Sequence, residues 1–136
     1  MKTEKIVDGD LVLAMIARGA DWEKGLSFIT SEKDYQQVGT WGYDGGQQLA
    51  PHIHLNEPRE VLHTQEVVYV KEGHIRVDIY SVNRQLVKSV ELRDGDTIVL
   101  LNGGHGYEIL RDDTKVLEVK NGPYVGAERD RERIEH

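Results

Sequence analysis

The sequence predicts an all-β fold, with antiparallel strands in two packed sheets. Two observations carry this. Short runs rich in β-branched and aromatic residues recur along the whole chain, and most end at Gly, Asp, Asn or Ser. No long amphipathic helical period competes with them. Many short strands at regular spacing favour a sandwich or barrel.

In order, the expected strands lie in "DLVLAMIARG", "GLSFITS", "QQVGTWGY", "EVVYVKEG", "HIRVDIYSV", "QLVKSVEL", "DTIVLL", "YEIL" and "KVLEVK". "DWEKGLSF" suits one turn of helix, and "GAERDRERIEH" a short helix or tail. Gly73 is placed in a hairpin between "EVVYV" and "HIRVDIY", where its tolerance of positive φ is used. Asn83 marks the next turn, and Gly122-Pro123-Tyr124 a turn after the last strand. "EVVYV" is apolar on both faces, so both need cover. A second sheet supplies one, and a partner chain or N-terminal strands the other.

With 136 residues the chain suits one domain, 1–136. No linker, repeat or low-complexity stretch divides it. No apolar run is long enough to span a bilayer, and "MKTEKIVDGD" lacks the apolar segment of a signal peptide. Cysteine is absent, so disulfide and thiolate chemistry are excluded, and a cytoplasmic location is expected. A net charge of −7 and scattered Lys and Arg argue against nucleic acid and anionic membrane as partners.

The chemistry-bearing stretch is "PHIHLNEPREVLHTQEVVYVKEG", from Pro51 to Gly73. His52 and His54 are two apart, so on a strand they face the same side. Glu66 opens an apolar strand, and His105 lies between glycines in "NGGHGYEIL". Taken singly, a strand His is more often structural, a strand-opening Glu solvated, and His105 a loop histidine. Together, three imidazoles and a carboxylate suit Mn, Fe, Ni, Co or Zn, and leave octahedral positions open for substrate, water or dioxygen.

The spacing of these residues resembles the two motifs of the cupin superfamily. The first is G-x5-H-x-H-x3–4-E-x6-G. The chain offers Gly46, His52-Ile53-His54, and later Glu66 followed by "VVYVKE" and Gly73. Eleven residues separate His54 from Glu66 instead of three or four. The second is G-x5-P-x-G-x2-H-x3-N. Here Gly95 is followed by "DTIVL", Leu101 in place of Pro, Gly103, His105 one residue early, and Ile109 in place of Asn. The resemblance covers about 40–120. Its ending, "GGHGYEIL…LEVKNGPY", is similar to small single-domain cupins.

The resemblance implies a double-stranded β-helix, the cupin jelly-roll barrel. N-terminal strands and a charged C-terminal tail would pack outside its core. It implies one divalent transition metal held by His52, His54, Glu66 and His105, with "LNEPREVLHTQ" as an excursion in which Pro58 removes a ladder donor. His63 is three residues from Glu66, so a regular strand turns it away. It is assigned to the rim, with replacement of a first-pair His as the alternative.

Other pocket candidates are Tyr107, which shares a face with His105, the Glu118–Lys120 pair on "VLEVK", and Trp41 beside Tyr43. Each also has a plain reading as barrel packing, solvated edge or core. His74 is expected on the surface, and His136 belongs to the terminal tail. The expected function is isomerisation or epimerisation of a small polar, carbohydrate-like substrate by a metal-dependent homodimer. The alternatives are a non-catalytic metal or small-ligand binder, a cupin dioxygenase, and a metal-free isomerase with His as base.

Overall fold

A computed structural model describes residues 1–135; His136 lies outside them. Ten strands make up most of the regular structure. They are β1 (Glu4–Asp8), β2 (Leu11–Ala17), β3 (Gly25–Phe28), β4 (Gly39–Gly42), β5 (Glu66–Glu72), β6 (His74–Tyr80), β7 (Leu86–Arg93), β8 (Thr97–Leu100), β9 (Gly104–Ile109) and β10 (Lys115–Lys120). Among the described residues, the one α-helix, α1 (Ala127–Asp130), is a single turn, and Gly19–Asp21 form a 3₁₀ turn. Among the described residues, no helix is long and apolar enough to cross a membrane.

All strand pairings are antiparallel. A five-stranded sheet has the order β1-β2-β8-β5-β10, a three-stranded sheet the order β7-β6-β9, and β3 and β4 pair alone. The arrangement is compatible with a jelly roll, but no barrel closes. β9 ends one sheet and β10 the other.

Alternation along the strands builds two cores. Ala14 and Ile16 of β2, Val68 and Val70 of β5, and Ile98 and Leu100 of β8 face one way. They pack on Ile75, Val77 and Ile79 of β6 and on Leu92 of β7. The intervening residues, Met15, Ala17 and Val99, point to the opposite face. There they meet Ile29 and Leu101, with Val38 and Val67 packed alongside. The second face of "EVVYV" is therefore covered by the chain's own 29–38 region. That cover removes one reason to expect a partner chain there.

Three expectations change. "EVVYV" and "HIRVDIY" do not pair as a hairpin, since β5 bonds β8 and β10 while β6 bonds β7 and β9. The chain instead turns a corner between sheets at Gly73, which has φ 123° and donates its N–H to Asp94. A Cβ there would lie 2.3 Å from the Thr114 hydroxyl oxygen, so the glycine is needed for space as well as φ. "MKTEKIVDGD" holds a strand, β1, whose alternating Lys, Ile and Val is too short and charged to stand out. β2 is an interior strand of the large sheet, with Leu13 and Ile16 fully buried, and not an outer layer.

Other readings hold. β6 and β7 form the hairpin around Asn83, closed by Arg84 N–H to the Ser81 carbonyl at 2.9 Å. One does not: His74, expected on the surface, is half-buried, with Nε2 2.7 Å from a Glu91 carboxylate oxygen.

Candidate functional site

The inner faces of the two sheets meet at an open end between β9 and β10. Glu66 shares its face with Val68 and Val70, so it points between the sheets and is only 7% exposed. On β9, His105 sits opposite Ile79 and Tyr107 opposite Val77. Both therefore share the core-facing side of their sheet. On β10, Lys120 is the register partner of Glu66, and Glu118 lies two residues back on the same face.

Three donors converge on the Glu66 carboxylate. His105 Nε2 is 2.8 Å from Oε2. The Tyr107 hydroxyl donates to the same oxygen at 3.2 Å. Lys120 Nζ is 3.2 Å from Oε1 and 3.6 Å from Glu118. A buried carboxylate needs such partners, because losing hydration penalises its charge. Burial alone would push the Glu66 carboxyl up. The hydrogen bond and charge of His105, then those of Lys120, outweigh it and hold the group at about 2. Burial, then the neighbouring Glu66 charge, push the Tyr107 hydroxyl up, so it stays protonated as a donor. The hydrogen bond to Glu66 raises the Lys120 ammonium and keeps it charged.

Glu66, His105 and Tyr107 line a cleft of about 1170 Å³, also lined by His63, Thr64 and Arg131. The C-terminal tail crosses its mouth. The Thr64 hydroxyl donates to Asp130, and Arg84 pairs with Glu132.

Of the expected metal ligands, the structure brings together Glu66 and His105. His52 and His54 lie elsewhere, in a strandless stretch between β4 and β5. Their rings meet edge to face at 5.0 Å, but the backbone is exposed from 51 to 60, and Ile53 between them is 84% exposed. The strand expected for "PHIH" is absent. Among the described residues, no group of three or more His, Cys, Asp or Glu is gathered for a metal. Glu66 itself fits an ion poorly as it stands, since both oxygens are taken and an ammonium sits on one.

His63 is on the rim. Its Nε2 is 2.9 Å from the Leu101 carbonyl and its ring packs edge-on against Tyr35 at 5.0 Å. Trp41 lines neither this cleft nor the one beside it. It is 60% exposed on β4, and its carbonyl accepts from the Trp22 indole at 2.6 Å.

Two polar residues at the site escaped the sequence reading. Gln65 is buried and accepts the backbone N–H groups of Tyr35 and Gln36, at 2.8 and 3.0 Å. Asn121 accepts the Gln65 N–H at 2.7 Å and donates to the His63 carbonyl at 3.3 Å. They fix the entry to β5 and hence the position of Glu66. Nothing in residue type distinguishes them from surface amides. No family model matches the chain, and no curated protein or solved structure matches it.

Proposed function

We propose that the chain is a cupin-type protein that moves a proton on a small polar, carbohydrate-like molecule, with His105 as the base and Glu66 as its anchor. The observation behind this reading is the 2.8 Å contact between His105 Nε2 and Glu66. With a neutral ring, that contact places the proton on Nε2 and leaves the lone pair on Nδ1. The Glu66 carboxylate is already bound by His105, Tyr107 and Lys120, which leaves neither oxygen free to take a carbon-bound proton. Its role is to fix the imidazole tautomer and stabilise the imidazolium that forms, as the carboxylate does in a Ser-His-Asp triad. Tyr107, beside His105 in the cleft, and Lys120, on the other side of Glu66, are the donors that would stabilise an enolate oxygen. The substrate class rests on the cupin resemblance and on the polar lining.

The test is solvent deuterium incorporation next to the carbonyl of sugars and sugar acids, followed by NMR. The wild-type chain should exchange at least one of them. His105→Asn should slow exchange by about 100-fold or more. Wild-type protein that binds but exchanges none would favour a non-catalytic binding protein.

A second reading keeps the metal, with His52, His54, Glu66 and His105 as ligands. One observation favours it: β9, which carries His105, has no strand on its outer side, while the His52–His54 stretch has no strand partner. Metal analysis of protein purified without a nickel column tests this. A stoichiometric ion that is lost in both His54→Ala and Glu66→Ala supports it, and a metal-free preparation that still exchanges overturns it.

A further inference from the structure

Beside the Glu66 cleft lies a second, of about 880 Å³, between the 59–64 stretch and the C-terminal tail. Arg59, Arg129 and Arg131 line it, with Asp130 as the single lining carboxylate; Lys120 also lines it but is already paired with Glu66 and Glu118. That is an unusual concentration of positive charge in a chain of net charge −7. Elsewhere, Arg18 pairs with Glu4, Arg76 with Asp78, Arg84 with Glu132 and Arg111 with Asp94, while Arg93 and Arg133 are single, scattered exceptions among the described residues. Among the described residues, no carboxylate pairs with Arg59, Arg129 or Arg131. Arg59 donates only to the Glu57 backbone carbonyl, at 3.3 Å.

The fold produces this imbalance from a balanced sequence. "ERDRERIE" alternates in sign, which in an unstructured tail would cancel. Here Glu132 is drawn off to Arg84, while Asp130 stays at the cleft and accepts from the Thr64 hydroxyl. Their basic neighbours are left facing the cleft. Arg131 acts on the Lys120 charge, which places the tail's cation next to the site wall.

We infer that this cleft is an anion-binding subsite, which takes a phosphate or carboxylate group of the ligand by guanidinium contacts from Arg59, Arg129 and Arg131. Guanidinium forks match both groups and bind them through paired, charge-assisted hydrogen bonds. The two clefts share His63, Thr64, Asp130 and Arg131. One molecule can therefore anchor its charged end here and present its polar end to Glu66 and His105. This inference deepens the proposed function and uses its site, but its test does not depend on turnover.

Inorganic phosphate and succinate are titrated separately at fixed ionic strength in chloride, by calorimetry and by NMR. Saturable one-site binding of at least one is expected. Arg129→Gln and Arg131→Gln should each weaken it by about tenfold. Arg93→Gln, a distant arginine with no carboxylate partner, should leave it unchanged, and His105→Asn should also retain it. Phosphate binding alone assigns a phosphorylated ligand, and succinate binding alone a carboxylate. All the replaced arginines are exposed, and unchanged thermal midpoints check the folding of every variant. Failure of both anions to saturate the wild-type chain, or a triple Arg59, Arg129, Arg131 to Gln variant that binds as the wild type does, overturns the inference. Retained anion binding with no proton exchange would instead sink only the catalytic reading.

Discussion

Glu66 sits on the inner face of β5 with three side-chain donors around its carboxylate. His52 and His54, expected to share its site, sit on exposed backbone and touch each other. The difference lies in what fixes each segment. β5 is bonded on both sides, to β8 and β10, so its register and its inner face leave Glu66 no choice of direction. Gln65 and Asn121 secure the point where it begins. The 51–60 stretch has no ladder, carries Pro51 and Pro58, and buries none of its side chains. A spacing of i and i+2 makes two histidines converge on a common target only when a strand exists to orient them.

The largest effect expected from breaking this contrast is at Glu66. Glu66→Ala removes the partner of His105 and Lys120 and leaves an uncompensated charge near the core. It should cost about 3 kcal/mol, a drop in thermal midpoint on the order of 10 °C. Chemical and thermal denaturation would show it. A loss under about 1 kcal/mol would mean that the cluster is solvated and not structural.

The pH dependence should follow from the same group. The folded Glu66 carboxyl is held at about 2, below its ordinary 4.5, so the unfolded chain takes up the proton first. Its contribution to stability is fully present above pH 4.5 and is lost as pH falls toward 2. In Glu66→Gln, stability should fall less steeply across that window than in the wild-type chain. Parallel curves for the two proteins would contradict the assignment.

Strand content was legible in the sequence because period-2 alternation and turn residues are local signals. β2, β5, β6 and β8 fall within the expected runs, and β7 runs one residue past its own. The Glu118–Lys120 pair and the shared face of His105 and Tyr107 were legible for the same reason. Pairing partners were not, because they depend on residues far apart in the chain. The short turn at Gly73 suggested a hairpin, yet it joins two different sheets. The motif spacing placed Glu66 and His105 together but could not show that the intervening excursion would leave "PHIH" without a strand. Trp41 misled for a related reason: aromatic content signals a strand, but not which side of the fold the strand occupies.

His63 offers an intermediate case. Its Nε2 contact to the Leu101 carbonyl and its edge contact with Tyr35 tie the end of the excursion to the chain after β8. His63→Ala should cost about 1 kcal/mol, the usual net value of one hydrogen bond, by urea denaturation. Proton exchange by His105 should persist in this variant, since the imidazole lies outside the Glu66 contacts. A loss of exchange as complete as in His105→Asn would move His63 from rim to reacting centre.

The smallest effect is expected at His52 and His54. Both are exposed, and beyond their mutual ring contact His52 Nδ1 lies 3.2 Å from the Ala50 carbonyl. In a chelating buffer, His54→Ala should change stability by less than about 0.5 kcal/mol, as surface substitutions usually do. That result holds whether or not the chain binds metal, so the informative measurement adds the ion. An ion held by the folded state alone raises the thermal midpoint by an amount that grows with the logarithm of its concentration over Kd. If Glu66 and His105 act without metal, added Zn²⁺ or Mn²⁺ should shift the wild-type and His54→Ala midpoints equally. A stabilisation seen in the wild-type chain and missing from His54→Ala would show that the His52–His54 stretch reaches Glu66 when the ion is bound. The metal reading would then replace the metal-free one, and the exposed stretch would become the part of the site that folds last.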